Sequence, residues 1–232
     1  MRRRKTSLTM SEIMTIIIHF HQSNFRTFKT YYIKYVQFRL RKEFPGFLSY
    51  SWFLRLMSQF FVPLFMCLLS KRGQCTGLSF MDSNSIKVCH NRRVNRHKVF
   101  SGLAARGKTI MDCFFCFILH LMVNDCGEIL SFQLTPGNTD DRNPVPTMAK
   151  DPIGKLFADK GYISQALYAE LFDKGISLIT GIRKNLKNHL MPMEDKLLLR
   201  KRSIIETIND QLKNITQIEN THSLKTIFKG SI

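Results

Sequence analysis

Apolar positions divide the chain into a helical first third and a remainder in which strands come first and then alternate with helices. An apolar run extends from Ser11-Glu12 to about Phe20, with Ser11 placed to cap a helix. From Phe25 to Glu43, apolar and aromatic residues stand at 28, 31, 32, 35, 36 and 40, a helical spacing. Lys29, Lys34, Arg39, Arg41 and Lys42 lie elsewhere on that helix, and Pro45-Gly46 ends it. A third apolar segment runs from Ser49 to about Leu69, with a kink expected near Pro63.

After a hinge at Gln74–Gly77 the period changes. Leu78–Val88 reads as a strand whose apolar run ends at Asp82, and Phe114–Val123 as a strand buried on both faces. Asn124–Gly127 supplies a hairpin turn into the alternating strand Glu128–Thr135. A broken helix near Asp141–Lys150, a strand at Lys155–Ala158, a helix at Ser164–Lys174 ended by Gly175 and a strand at Ile176–Ile182 follow. The stretch Leu197–Ile215 contains no Gly or Pro and reads as one helix. Ile204, Ile205, Ile208, Leu212 and Ile215 fall on one of its faces, and Arg202, Glu206, Asn209 and Lys213 on the other. This order predicts an α/β protein, a mixed sheet flanked by helices behind an all-helical N-terminal region. The expected boundary separates residues 1–74 from 75–232.

Charge changes the picture. The 35 basic and 17 acidic residues leave a net charge of +18, which favours a polyanionic partner. Residues 1–75 hold thirteen Lys/Arg and two Glu, beginning with Arg2, Arg3, Arg4 and Lys5. The three basic, aromatic-rich helices there suit a small DNA-binding module, or equally a helical cap on the main domain. The apolar runs Ile13–Phe20 and Phe60–Leu69 fall short of the ~20 residues that cross a bilayer. No membrane association and a cytoplasmic location are therefore expected. The six cysteines show no spacing of a secreted disulfide framework. Cys113 and Cys116, with His120 nearby, lack a second ligand pair for zinc and read as core residues.

Two features could carry chemistry. Asp82 and Asp159 each follow an apolar strand segment, and Gly161 leaves room beside the second. Taken singly they read as turn residues, and Glu206 as part of a solvated helix face. Converging from two strands and a helix, the three would offer hard oxygen ligands suited to Mg²⁺ or Mn²⁺. A pair of such ions promotes in-line displacement at a phosphodiester. The second feature is Ser83–Met111, with Lys87, Arg92, Arg93, Arg96, Lys98, Arg106 and Lys108, two histidines and no acid. As a solvated loop these charges would repel one another; phosphate contact relieves that repulsion and is preferred.

The ordered set Asp82-Ser83, Asp159-Lys160-Gly161-Tyr162 and Arg202-x-x-x-Glu206 with Lys213 resembles the DDE transposases of bacterial insertion sequences. Further resemblance to one compact branch lies in VCHNRR (88–93), HKVFSGLAARGKT (97–109), LTPGNTDDRNPVP (134–146), GKLFADKGYIS (154–164), LITGIRKN (178–185) and KLLLRKRSIIETINDQLKN (196–214). The resemblance spans roughly Met10 to His222. It implies a ribonuclease-H-like catalytic core in 75–232, with Asp82, Asp159 and Glu206 as catalytic residues and ligands of two Mg²⁺ or Mn²⁺ ions. It also implies that Arg202 and Lys213 contact DNA, alongside Arg92, Arg93, Arg96 and Lys98 of the basic window. The expected partners are double-stranded DNA (the element's terminal inverted repeats and the target) and a second copy in a homodimer.

The chain departs from the family pattern in three places. Leu199 stands where the wider family often has Tyr, and Ile118 where this branch usually carries Lys before His120. After His222 the sequence no longer resembles the family, so a C-terminally truncated copy is expected. The alternative to an active transposase is a catalytically inactive, DNA-binding remnant of one.

Overall fold

The computed structural model describes residues 8–46, 48–96, 100–108, 113–151, 153–181, 191–216 and 218. The chain divides into two compact units, Met1–Ser70 with Gln211–Ile232, and Lys71–Asp210. The sequence reading drew its boundary at 74/75 and left 211–232 with the second part.

In the first unit, α1 (Met10–Gln22) starts two residues earlier than the sequence suggested. Thr9, not Ser11, is the cap, because Glu12 stands three residues beyond it and closes a reciprocal capping box. Next come α2 (Phe28–Tyr31), a π-helical turn (Tyr32–Val36) and α3 (Gln37–Arg39). After them α4 (Tyr50–Met57) and α5 (Phe61–Ser70) are separated by a 3₁₀ turn at Ser58–Phe60. The bend therefore precedes Pro63. As the third residue of α5, Pro63 gives up no helical hydrogen bond, so it starts the helix rather than kinking it. Ile13, Ile16, Phe20, Phe28, Tyr31, Tyr32, Val36 and Phe53 form the core, with Tyr32 and Phe53 rings 4.7 Å apart. Among the described residues no single helix is long and apolar enough to cross a membrane, though α4 and α5 pass that test as a pair bent by 57°.

The second unit holds a six-stranded mixed sheet. Its strands are β1 (Leu78–His90), β2 (Ala105–Lys108), β3 (Cys113–Asn124), β4 (Ile129–Pro136), β5 (Gly154–Ala158) and β6 (Ile176–Thr180). The order is β2-β3-β1-β5-β6, and β4 also pairs with β3. The sequence pattern missed β2, four residues inside the basic window, and ended β1 too early. The expected strand stops at Val88, whereas β3 pairs with β1 two residues further, as far as His90↔Phe114. The helices are α6 (Val145–Met148), α7 (Gln165–Asp173, capped by Ser164), α8 (Met193–Arg200) and α9 (Ser203–Asp210).

The two sheet faces are distinct. Met81, Met122, Leu156, Ala158 and Ile176 pack with α6 and α7 residues Val145, Met148, Leu167 and Leu171. Alternation turns Phe80 and Phe157 to the other face, where their rings stack 5.4 Å apart. There α8 packs against β5 and β6, and α9 against β1 and β3. The expected single helix Leu197–Ile215 is thus broken. A turn at Lys201-Arg202 redirects it from one pair of strands to the other, and a second π-helical turn, Gln211–Ile215, follows α9. No Gly or Pro marks these breaks; the packing surface imposes them.

One glycine fixes where β1 meets β5. Gly154 has φ +104°, and a Cβ there would collide with the Gly77 carbonyl just before Leu78 pairs with Lys155. Gly154→Ala is expected to cost about 2–4 kcal/mol, through a strained backbone and a displaced strand. Urea unfolding followed by circular dichroism measures it.

Candidate active site

The parallel ladder between β1 and β5 ends at Phe80↔Phe157. Asp82 and Asp159 each lie two residues beyond that pair, so they stand level on the face that Phe80 and Phe157 define. Asp82 is held in mid-strand by β3, opposite Leu121, while Asp159 is the first residue after β5. Here the two strands no longer pair, which leaves room between them.

Helix α9 closes this space from above. Ile205 is fully buried, and Ile204 and Ile208 lie against Gly127 of the β3–β4 turn. Arg202 and Asn209, seven residues apart, share one helix side. Asn209 is only 6% exposed, and its Nδ2 donates to Asp82 Oδ2 at 2.9 Å. Its Oδ1 is buried and has no hydrogen-bond partner among the described residues. The Arg202 guanidinium reaches Asp159 Oδ1 at 3.2 Å and donates to Glu206 Oε1 at 2.9 Å. Arg202, in the turn before α9, thus links the carboxylates of Asp159 and Glu206, while Asn209 of α9 holds Asp82, whose charge also feels Arg202 and Glu206.

The electrostatics are unequal. Burial pushes the Asp82 carboxyl above the usual range; the Ser83 backbone N–H, Arg202 and Asn209 pull it down, and Glu206 pushes it up again. On the opposite face, burial strongly raises the Tyr162 hydroxyl, which lies near Ser83 and the carboxylates of Asp141, Asp82 and Asp159. Arg202 lies between Asp159 and Glu206. As they stand, no three His, Cys, Asp or Glu side chains among the described residues are grouped to hold a metal ion. The donor set nevertheless fits Mg²⁺ or Mn²⁺: three carboxylates supply hard oxygens, and withdrawing one guanidinium frees two of them.

Arg92, Arg93 and Arg96 sit exposed on a 3₁₀ turn, Asn91–Arg96, and none is ion-paired among the described residues. That turn follows His90, eight residues and about 26 Å along β1 from Asp82. Lys98 lies outside the described residues, and Lys213 falls in the π turn Gln211–Ile215 of the first unit. Cys116 is buried as expected, and His120 is buried as well, its Nε2 2.8 Å from the Thr135 hydroxyl; the Cys113 side chain lies outside the described residues. Sequence reasoning placed Asn209 on the polar side of its helix but gave it no role. The available signal was its spacing of seven from Arg202 and three from Glu206.

Residues 72–225 match the family described as Transposase DDE domain. A search of curated proteins finds no match. Among solved structures, a piggyBac transposase synaptic complex with hairpin DNA is similar at a TM-score of 0.51 and 9% identity, over 98% of this chain and 69% of that one. Weaker similarity extends to the Mos1 strand transfer complex (TM-score 0.31, 9% identity, 100% of this chain and 81% of that one). It extends also to the Mos1 mariner paired end complex with Mn (0.30, 9%, 100% and 79%). The first of these shows the fold: a ribonuclease-H-like mixed sheet flanked by helices.

Proposed function

This chain belongs to the DDE transposase family, and on that premise we propose that Asp82, Asp159 and Glu206 are its catalytic carboxylates and the ligands of Mg²⁺ or Mn²⁺. The observation that carries this reading is the placement of all three from separate elements: Arg202 pairs with Asp159 and Glu206, and Asn209 holds Asp82 within the influence of both Arg202 and Glu206. The substrate is double-stranded DNA: the ends of an insertion sequence, then a target. When bound, a pair of such ions activates the attacking oxygen and stabilises the leaving one.

The chain's own residues set the geometry. Asn209 orients Asp82 on a strand braced by β3, so this carboxylate keeps its position without substrate. Arg202 neutralises Asp159 and Glu206 in the free protein; once DNA arrives, its planar fork turns to a backbone phosphate. Arg92, Arg93 and Arg96, with Lys98 and Lys213, hold further phosphates. The first three are far enough from Asp82 to grip DNA away from the cut. Water attacks an end phosphodiester first and displaces the 3′-oxygen as a hydroxyl; that 3′-hydroxyl then attacks a target phosphodiester and displaces the target strand's own 3′-hydroxyl.

Incubating the purified chain with duplexes carrying the element's terminal repeats, with and without Mg²⁺, tests this reading. Metal-dependent nicking at the ends is expected. A folded sample that binds the ends and never cuts them would instead be the inactive remnant. Asn209→Ala is expected to slow cleavage about tenfold or more by releasing Asp82, while the far-ultraviolet spectrum stays unchanged. Single-turnover rates measure the effect.

A further inference from the structure

The first unit carries a second basic feature that the catalytic centre does not use. Between Phe25 and Leu48 stand Arg26, Lys29, Lys34, Arg39, Arg41 and Lys42 against one acid, Glu43. Lys34, Arg39, Arg41 and Lys42 are exposed, and none is ion-paired among the described residues. In their midst Phe38 is 81% exposed, the most exposed large apolar side chain among the described residues. One exposed apolar side chain is ordinary; an aromatic ring among cations that no carboxylate compensates offers a stacking face beside positive charge.

The backbone shows why the ring is outside. Phe28, Tyr31, Tyr32 and Val36 face the core. At the regular 100° step, Phe38 would return close to the direction of Tyr31. The π turn Tyr32–Val36 is wider than an α turn and carries Phe38 round to the side of Lys34 instead. Beyond it Gln37, Phe38, Arg41 and Pro45 line a half-open concavity of about 500 Å³, within the range that takes small organic groups.

We propose that this concavity takes an unpaired nucleotide of a DNA strand, its base stacked on Phe38 and its phosphate on Arg41. An aromatic face beside a cation is the combination that binds single-stranded nucleic acid without reading its sequence. Gln37, whose Nε2 donates to the Leu48 carbonyl at 3.4 Å, offers its Oε1 to a base edge, and Lys34, Arg39 and Lys42 extend the positive surface to neighbouring phosphates. A base inside a duplex is already stacked on both sides, so the site selects strands that are locally unpaired. The inference rests on the reading that this protein acts on DNA.

The test uses the full chain carrying Asp82→Asn, without metal, and fluorescent DNA that is either fully paired or contains an unpaired stretch. Anisotropy is expected to show tighter binding to the second. Phe38→Ala should remove that preference, weakening binding to unpaired DNA about tenfold while leaving the duplex unchanged, and Phe38→Trp should restore it. Arg41→Gln should weaken both and reduce the salt slope by about one. Equal binding of unpaired DNA by the Phe38→Ala variant and its parent overturns the proposal. So does a Phe38→Ala effect that appears only as a change of oligomeric state in light scattering, or as lost binding to anionic vesicles. Because no cleavage is read, failure here leaves the catalytic assignment standing. Absent cleavage with intact Phe38-dependent binding would remove only that assignment.

Discussion

Exchanging Asp82 for Asn, Asp159 for Asn or Glu206 for Gln is expected to stop metal-dependent strand cleavage while DNA binding persists. Each carboxylate supplies charge that no neighbour can replace, and loss of a divalent-ion ligand removes several kcal/mol of transition-state stabilisation. That corresponds to about 10³-fold or more in rate. Pairs of these exchanges should cost little more than single ones, because the three act as a unit. Asp82→Asn should also make the protein more stable at neutral pH. Burial raises the Asp82 carboxyl, so the folded form holds its proton to higher pH than the unfolded chain does. As pH rises from the ordinary carboxylate value through the raised one, the unfolded state is increasingly favoured, and the buried charge costs stability above that window. Thermal unfolding should therefore show Asp82→Asn above the parent at pH 7, with the gap narrowing as pH falls through the raised value and closed below pH ~4, the ordinary carboxylate range. An inactive variant that is more stable cannot owe its inactivity to unfolding.

The second large effect falls on Arg202. Arg202→Gln removes a bidentate phosphate donor, and cleavage should drop by about 10²–10³. The same change leaves Asp159 and Glu206 without the cation that now lies between them. Calorimetric titration with Mn²⁺ should accordingly show tighter binding to this variant than to the parent, while DNA binding weakens and its salt slope falls by about one. A merely structural Arg202 would lower both affinities together. The opposite signs reflect a guanidinium that competes with the cation in the free protein and contacts phosphate in the complex. They also make metal and DNA binding mutually supportive, since each is easier once the other has drawn the guanidinium and the carboxylates apart.

Much of the sheet could be read from the sequence because buried strands leave simple signals. Phe114–Val123, Ile129–Thr135, Leu156–Ala158 and Ile176–Thr180 are apolar or alternating runs bounded by turn residues, and Ser164 caps α7 as its position suggests. The level placement of Asp82 and Asp159 was only partly legible. Each visibly ends an apolar run, yet the register that sets them side by side depends on pairing between β1 and β5, more than seventy residues apart in sequence. Only the last two residues of β1, Cys89 and His90, went unread, because their place in the strand depends on pairing with β3. The break at Lys201-Arg202 and both π turns follow from the surfaces on which these helices pack. Periodicity on a regular 100° step cannot register them. Asn209 was invisible as a site residue for a related reason: its importance lies in a bond to a side chain 127 residues away.

The central claim is that carboxylates from β1, the end of β5 and α9 share one cation centre. Replacing Mg²⁺ by Fe²⁺ and generating hydroxyl radicals at the bound ion maps that centre directly, since the polypeptide is cut beside its ligands. Cuts are expected near residues 82, 159 and 206 in the same sample, all suppressed by excess Mg²⁺ and all lost in Asp82→Asn. Cuts near only one of the three, or cuts that persist in Asp82→Asn, would contradict it.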